Sequence, residues 1–441
     1  MRLTRVWAFG VVLLGCGALI QNAAGLNVPH TLHHARALSP HFSESRRSGA
    51  HQPAAHSARQ AAKSATARAA SSHESAKTPA QTAHLTARGR GRASARRVAL
   101  TTGRHRFSER FTTSSFAHGD IFADDVTAGE DPVIRQAAIE ALGGMNGTAV
   151  VINPSNGRIL AMVNQKLALS AGAEPCSTIK ITVAMAALSE GLVTRDTPVK
   201  LAGFRMNMTE ALAHSNNLYF EELGRELGFE RVRHYANEFG LGELAGYNIQ
   251  GEHLGVYPDK ELPASEGGVG RMCSFGQGVS LTPLQLGAYV AAIANGGTLY
   301  YLQHPSSSEE ILAFQPKVKR TLDIAKYLPD LQDGMAGAVE YGTARRLRAS
   351  FHELPIFGKT GTCSENGTRL GWFASYSDSP QGSMVTVFFL EGGRPVSGPS
   401  SAGLTGAFYR NLWDHNYFGD KRQQTAEVVL PVASSTLPAV Q

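Results

Sequence analysis

TAVVINPSNGRILAMVNQKLALSAGAEPCSTIKITVAMAALSEG, residues 148–191, carries the two signals on which the fold turns. Apolar runs at 148–153 and 158–164 flank Pro154-Ser155-Asn156-Gly157, four turn formers in succession, which predicts a β-hairpin. Beyond it, Pro175 and Cys176 precede Ser177. Ile179, Val183, Ala184, Ala187 and Leu188 then recur at helical spacing as far as Gly191, which predicts a buried helix starting at Ser177.

Helical periodicity returns at 209–240 with glycine breaks, and at 282–295, where Thr282-Pro283 opens the run and Gly296-Gly297 stops it. A further helix is expected at 324–347. Apolar runs at 356–357, 370–376 and 384–391 read as three strands, and 402–413 as a closing helix. Strands at both ends with helices inserted between them predict an α/β fold in two subdomains, with the cleft between them as the expected site. No repeat is evident.

Towards the N-terminus the pattern dissolves. Of the 441 residues, 42% are hydrophobic, ample for a packed core, but 27–118 are rich in Ala, Ser, Arg and His and offer no regular apolar spacing. That stretch holds 15 Lys and Arg against 3 Glu, a net +12 in a chain whose total is +6, so the domain from 119 onward is acidic. It reads as a disordered basic linker, roughly 50 to 60 Å end to end as a random coil. Nucleic acid is not the expected partner, since aromatics are sparse and a leader precedes the segment; anionic lipid or wall polymer suits it better.

The leader, 1–26, has Arg2 and Arg5, an apolar core from Val6 to Ile20 and small residues at Ala23 and Ala24. It reads as a secretion signal or membrane anchor, and Leu13-Leu14-Gly15-Cys16 also fits a lipoprotein processing site. An exported protein follows, periplasmic or on the outer face of the cytoplasmic membrane, anchored or lipidated in two of the alternatives. The expected organisation is leader 1–26, linker 27–118, catalytic domain 119–419 and flexible tail 420–441.

Four cysteines at 16, 176, 273 and 363 lack CxxC spacing, so no zinc site, no other metal and no cofactor is expected. Cys176 abuts Ser177 and Cys363 lies close to Lys359-Thr360-Gly361. A disulfide across the site and small buried residues packed beneath it are both open readings.

Ser177-Thr178-Ile179-Lys180 places a hydroxyl and an amine almost one helical turn apart, on one face. Serine is a poor nucleophile until a base stands beside it, and a lysine shielded by apolar neighbours can lose its proton near neutral pH. Such a pair arises by chance in chains of this length, and a capping serine with a solvated lysine is its plain alternative. Two further elements add weight. Ser215-Asn216-Asn217 sits between two predicted helices, where a hydroxyl could relay a proton and an amide could hold a carbonyl, although Ser364-Glu365-Asn366 repeats the pattern. Gly358-Lys359-Thr360-Gly361-Thr362 lies on a predicted strand: glycine permits close approach of a substrate, lysine supplies charge, and alternation puts Thr360 and Thr362 on one face.

The order S-x-x-K, S-x-N, K-T-G resembles the signature shared by penicillin-binding proteins and serine β-lactamases. The likeness extends to Ala149-Val150-Val151-Ile152-Asn153-Pro154, to Gly276-Gln277-Gly278 with Leu281-Thr282-Pro283, to Ala294-Asn295-Gly296-Gly297 and to Tyr341-Gly342-Thr343-Ala344, covering about 148–415. It implies the penicillin-binding transpeptidase (β-lactamase-like) fold, an antiparallel sheet flanked by helices plus a helical subdomain. By that resemblance Ser177 attacks the carbonyl of a D-Ala-D-Ala stem peptide, Lys180 is the base, and Ser215 passes the proton to the leaving amine. Asn217 holds the acyl side chain, Lys359, Thr360, Gly361 and Thr362 form the strand that binds the terminal carboxylate, and the backbone N–H groups of Ser177 and Thr362 make the oxyanion hole. The implied partners are peptidoglycan stem peptides, β-lactams as covalent inhibitors and membrane-associated cell-wall machinery.

Residues 27–118 stand where larger members of that family carry a glycosyltransferase domain or a non-catalytic pedestal, and the interval from Ser177 to Ser215 is short for the family. The alternatives are a serine β-lactamase, against which the lack of an E-x-x-L-N segment between Asn217 and Lys359 counts, a D,D-carboxypeptidase, and a non-catalytic sensor of β-lactams or muropeptides.

Overall fold

In the computed structural model, residues 111–379 and 382–419 are described, so the expected leader, nearly all of the linker and the tail lie outside the described residues. Helix α1 (Pro132–Leu142) is capped by Asp131, whose carboxylate accepts from the Val133 and Ile134 N–H groups. The expected hairpin follows as β1 (Gly147–Asn153) and β2 (Arg158–Val163), its turn closed by the Asn153 side chain on the Ser155 N–H. After the single turn α2 (Gln165–Ala168), a 3₁₀ turn at Cys176–Ile179 leads into α3 (Lys180–Ser189). The α-helix thus starts at Lys180, and the nucleophile candidate stands on the tighter turn before it rather than on the helix.

The helical region holds a short ladder β3 (Val199–Lys200) and β4 (Arg205–Met206), then α4 (Met208–Ala213), α5 (Asn217–Leu227), α6 (Phe229–Glu238), α7 (Gly268–Phe275) and α8 (Pro283–Ala294). Thr282 and Gln285 close a reciprocal capping box on α8, as the Thr-Pro opening suggested. A second ladder, β5 (Thr298–Tyr300) with β6 (Val318–Thr321), encloses α9 (Ser308–Leu312). Helix α10 (Leu328–Glu340) precedes β7 (Ile356–Glu365), β8 (Thr368–Ser377), β9 (Met384–Gly392) and the closing α11 (Gly398–Asp414).

The main sheet runs β2-β1-β9-β8-β7, antiparallel throughout, so the first two strands of the domain complete a sheet begun by the last three. Both faces are covered, and strand alternation sorts the side chains into two cores. Val150, Ile152, Trp372, Val387 and Phe389 point towards α3 and α8, while Ala149, Val151, Phe373, Phe388 and Leu390 pack against α1 and α11. Helix α3 is buried on every side, as the lack of a polar face in its sequence requires. Strand β7 pairs only with β8, which leaves its outer edge beside the 3₁₀ turn.

One expected boundary moves. Residues 111–118 belong to the folded domain rather than the linker: the Thr112 N–H bonds the Arg394 carbonyl at 2.7 Å, the Asn146 N–H bonds the Ser115 carbonyl at 2.9 Å, and Ser115 is fully buried. Backbone hydrogen bonds hold this segment, and those leave no trace in apolar spacing.

Candidate active site

Four elements converge at the β7 edge: the 3₁₀ turn with Ser177, the first residue of α3, the loop between α4 and α5, and β7 itself. Lys180 Nζ lies 2.9 Å from Ser177 Oγ, 3.1 Å from Ser215 Oγ, 2.9 Å from the Ser215 carbonyl and 2.6 Å from Asn217 Oδ1. Lys359 Nζ reaches Ser215 Oγ at 2.9 Å and the Thr360 carbonyl at 3.0 Å. Ser215 Oγ therefore stands between two amines.

Counting protons sharpens this arrangement. The Ser215 carbonyl and Asn217 Oδ1 have no hydrogen to give, so they take two N–H bonds from Lys180. A neutral amine then has one lone pair left, and only the two serine hydroxyls remain to donate to it. Lys180 is wholly buried, and desolvation, reinforced by the positive charge of Lys359, pushes its pKa down to about 6 against a weaker upward pull from Glu221. Burial lowers Lys359 to about 7.

Those two values have a consequence for stability. An unfolded lysine titrates near 10.4, so as pH rises from 7 to 9 the folded chain completes its release of the protons at these two positions while the unfolded chain keeps both. Stability must rise with pH across that window, by up to about 1.4 kcal/mol per pH unit for each lysine, and it falls as pH drops through the folded values. Urea midpoints at pH 7 and pH 9 check this; equal midpoints would mean that both amines stay charged in the fold.

The backbone is strained at two positions beside the chemistry. Of the six non-glycine residues with positive φ among those described, four are asparagine, which tolerates the left-handed region; the others are Cys176 at 52° and Ser215 at 55°. Cys176 is held by a disulfide to Cys363, so of the two open readings the cross-link is the one formed, while Cys273 is free and buried. The turn is further fixed by Trp372 Nε1, which donates to the Glu174 carbonyl at 3.0 Å.

Gly361 serves a different purpose from the one expected. A Cβ there would lie 2.8 Å from the Pro175 carbonyl oxygen and 3.2 Å from Thr178 Cγ2, so the missing side chain admits the nucleophile turn rather than a substrate. Gly361→Ala is expected to push β7 off that turn and slow acylation by penicillin at least ~10-fold with the fold intact, since displacements near 1 Å at reacting groups have effects of that order or larger. An unchanged acylation rate alongside an unchanged circular dichroism spectrum would contradict it. A Cβ on Gly358 would meet the Phe373 ring, again a packing need.

Thr360 and Thr362 do share a face. The Thr360 hydroxyl donates to Thr343 Oγ1 at 2.6 Å, and Thr362 Oγ1 accepts from the Gly398 N–H at 2.8 Å, which brings the N-terminus of α11 to the strand. Lys359 differs from expectation: fully buried, it reaches outward only through Ser215. Asn217 opens α5 and spends its oxygen on Lys180, leaving its amide N–H₂ for other partners. The second S-x-N, Ser364 to Asn366, lies at the far end of β7 and its turn and does not join the group. The part Thr343 plays beside Thr360 is not visible in the sequence, because no spacing rule links a loop hydroxyl to one on a strand.

Comparison with known proteins identifies a family and related folds. The family described as "Penicillin binding protein transpeptidase domain" matches residues 147–410. Stage V sporulation protein D of Bacillus subtilis is 30% identical over 260 residues, 49% of this chain and 40% of that protein. Peptidoglycan D,D-transpeptidase MrdA of Escherichia coli (strain K12) is 25% identical over 299 residues, 56% of this chain and 46% of the relative. The chain thus spans less than half the length of these curated relatives. Among solved structures, the transpeptidase domain of Burkholderia pseudomallei penicillin-binding protein 3 superposes with a TM-score of 0.57 at 19% identity, over 66% of this chain and 97% of that one, a likeness of fold.

Proposed function

Because this chain belongs to the penicillin-binding protein transpeptidase family, we propose that it is a serine D,D-transpeptidase that cross-links peptidoglycan stem peptides through an acyl-enzyme on Ser177. The observation that carries the reading is the buried Lys180 amine 2.9 Å from Ser177 Oγ, held down to a pKa of about 6. Neutral at physiological pH, it takes the Ser177 proton as Oγ attacks the carbonyl of the penultimate D-alanine. Oxyanion charge falls to the backbone N–H groups of Ser177 and Thr362. Ser215, between the two amines, hands a proton to the departing D-alanine nitrogen and regains one from Lys180. The C–N bond breaks, and the acyl group stays on Ser177 until the amine of a second stem peptide displaces it and the proton returns to serine.

Three features support an anionic peptide end at Thr360 and Thr362: their shared face, the Lys359 amine behind Ser215, and the positive end of α11. Asn217 Nδ2 suits a substrate carbonyl. In this reading Ser177, Lys180, Ser215, Asn217, Thr360 and Thr362 act on the substrate directly, Lys359 acts through Ser215, and Gly361 shapes the turn. β-Lactams enter as analogues of the scissile amide and acylate the same serine.

The Cys176–Cys363 disulfide supports an oxidising compartment, in keeping with the expected export and with cell-wall machinery as the setting. No helix among the described residues is long and apolar enough to cross a membrane.

Glycan strands bearing pentapeptide stems test the proposal. Release of D-alanine with a matching yield of cross-linked muropeptide is expected. Release with uncross-linked tetrapeptide alone would make the chain a carboxypeptidase, and no release would point to a binding role.

A further inference from the structure

Thr343 follows α10 in a loop bonded to both sides of the site. Its backbone N–H donates to the Ala213 carbonyl at 3.1 Å, two residues before Ser215, and its hydroxyl receives the Thr360 proton at 2.6 Å. The neighbouring residue enforces this position: a Cβ on Gly342 would lie 2.1 Å from the Ala213 carbonyl oxygen, so only glycine lets the loop close on the strained segment that holds Ser215. Tyr341 adds a hydroxyl bond to Glu210 on α4 at 3.1 Å. One loop thereby ties the residue expected to relay protons to the residue expected to hold a carboxylate.

We infer that Thr343 is a positioning residue that orients the Thr360 hydroxyl towards the substrate carboxylate; this rests on the functional reading above. With the Thr360 O–H donating to Thr343 Oγ1, it is unavailable to an anion. Donation to a carboxylate requires Thr360 to turn its proton outward, and Thr343 then supplies the return bond by rotating its own O–H towards Thr360 Oγ1. The Thr360–Thr343 bond reverses its direction and is kept in both states, so the nearly buried Thr360 hydroxyl is never left without a partner. Valine at 343 has nearly the same shape and keeps the backbone bond to Ala213, but cannot take or give the hydroxyl hydrogen bond.

Thr343→Val and Thr343→Ser test this with two probes, a penicillin and the methyl ester of the same penicillin, comparing second-order acylation of Ser177. The expected result is a loss of about 10-fold for the carboxylate probe in Thr343→Val, mainly in the half-saturating concentration, with the ester changed less than about twofold, since a hydrogen bond to a charged group has an effect of that order. Thr343→Ser should restore the carboxylate probe to near the wild-type rate. Equal losses for both probes would assign Thr343 a merely structural role, and a wild-type response in Thr343→Val would remove the role altogether; either overturns the inference while leaving the transpeptidase reading in place. Wild-type protein that takes no acyl group on Ser177 from either probe would overturn both.

Discussion

Lys180→Met loses acylation by penicillin by ~10²- to 10⁴-fold, the range associated with removal of a positioned general base. Methionine fills nearly the volume that the lysine stem occupies among Phe220 and the buried face of α3, and it removes an amine that the interior disfavours in its charged form. The variant therefore folds, and what it lacks is the one group that can accept the Ser177 proton. Ser177 Oγ then has no amine beside it. The wild-type profile carries a further signature: acylation needs the neutral amine, so the rate rises with pH through about 6 as Lys180 deprotonates and levels off above it. In Lys180→Met this limb disappears. A rate within threefold of wild type, or an ascending limb that survives the substitution, would assign the base elsewhere. Stopped acylation reactions from pH 5 to 8, read by fluorescent penicillin on denaturing gels, supply both measurements.

The second large effect concerns the cross-link. Cys176 and Cys363 are 187 residues apart in sequence, so their disulfide restrains most of the domain in the unfolded state. The loop-entropy relation gives roughly 5 kcal/mol for a loop of that length, with losses of about 2 to 5 kcal/mol typical when a native disulfide is removed. Cys363→Ala, compared with oxidised wild type in urea, should fall in that range. The loss should reach function too, because the bond joins the left-handed residue before the nucleophile to the strand that carries Lys359 and Thr360. Trp372 and Gly361 still hold the turn from β8 and β7, so acylation is slowed in the folded variant rather than abolished. A shift in stability under about 1 kcal/mol would mean that the cross-link adds little to a turn already fixed by packing.

Much of the fold is legible in the sequence because its elements are buried in different ways. The hairpin announces itself through Pro154 to Gly157, and α8 through its Thr282 cap. Strand β7 is harder: only Ile356 and Phe357 read as apolar, yet the strand continues to Glu365, because an edge strand facing a polar site alternates lysine, glycine and cysteine where a central strand would place valine. Helix α1 had a visible signal in Asp131-Pro132 and Gly143-Gly144 that the apolar count alone passes over.

The site divides the same way. Ser177 and Lys180 are neighbours in sequence, and a helical turn suffices to pair them. Ser215, Asn217 and Lys359 come from separate elements, and what reveals them is the order of three short motifs. The contacts that hold those motifs in register, Thr343 on Thr360, Gly361 under Pro175 and Cys176 on Cys363, depend on tertiary approach across many residues. Glycine in Lys359-Thr360-Gly361 shows the limit clearly: its residue type signals close approach, but the approaching group is the protein's own turn and not the expected substrate.

Mass analysis of the penicillin-treated protein tests the central claim most directly. Intact mass followed by peptide mapping should show a single adduct on the peptide containing Ser177, persisting for many minutes after excess drug is removed and absent from Ser177→Ala. An adduct on any other residue, or equal labelling of Ser177→Ala, would contradict the account.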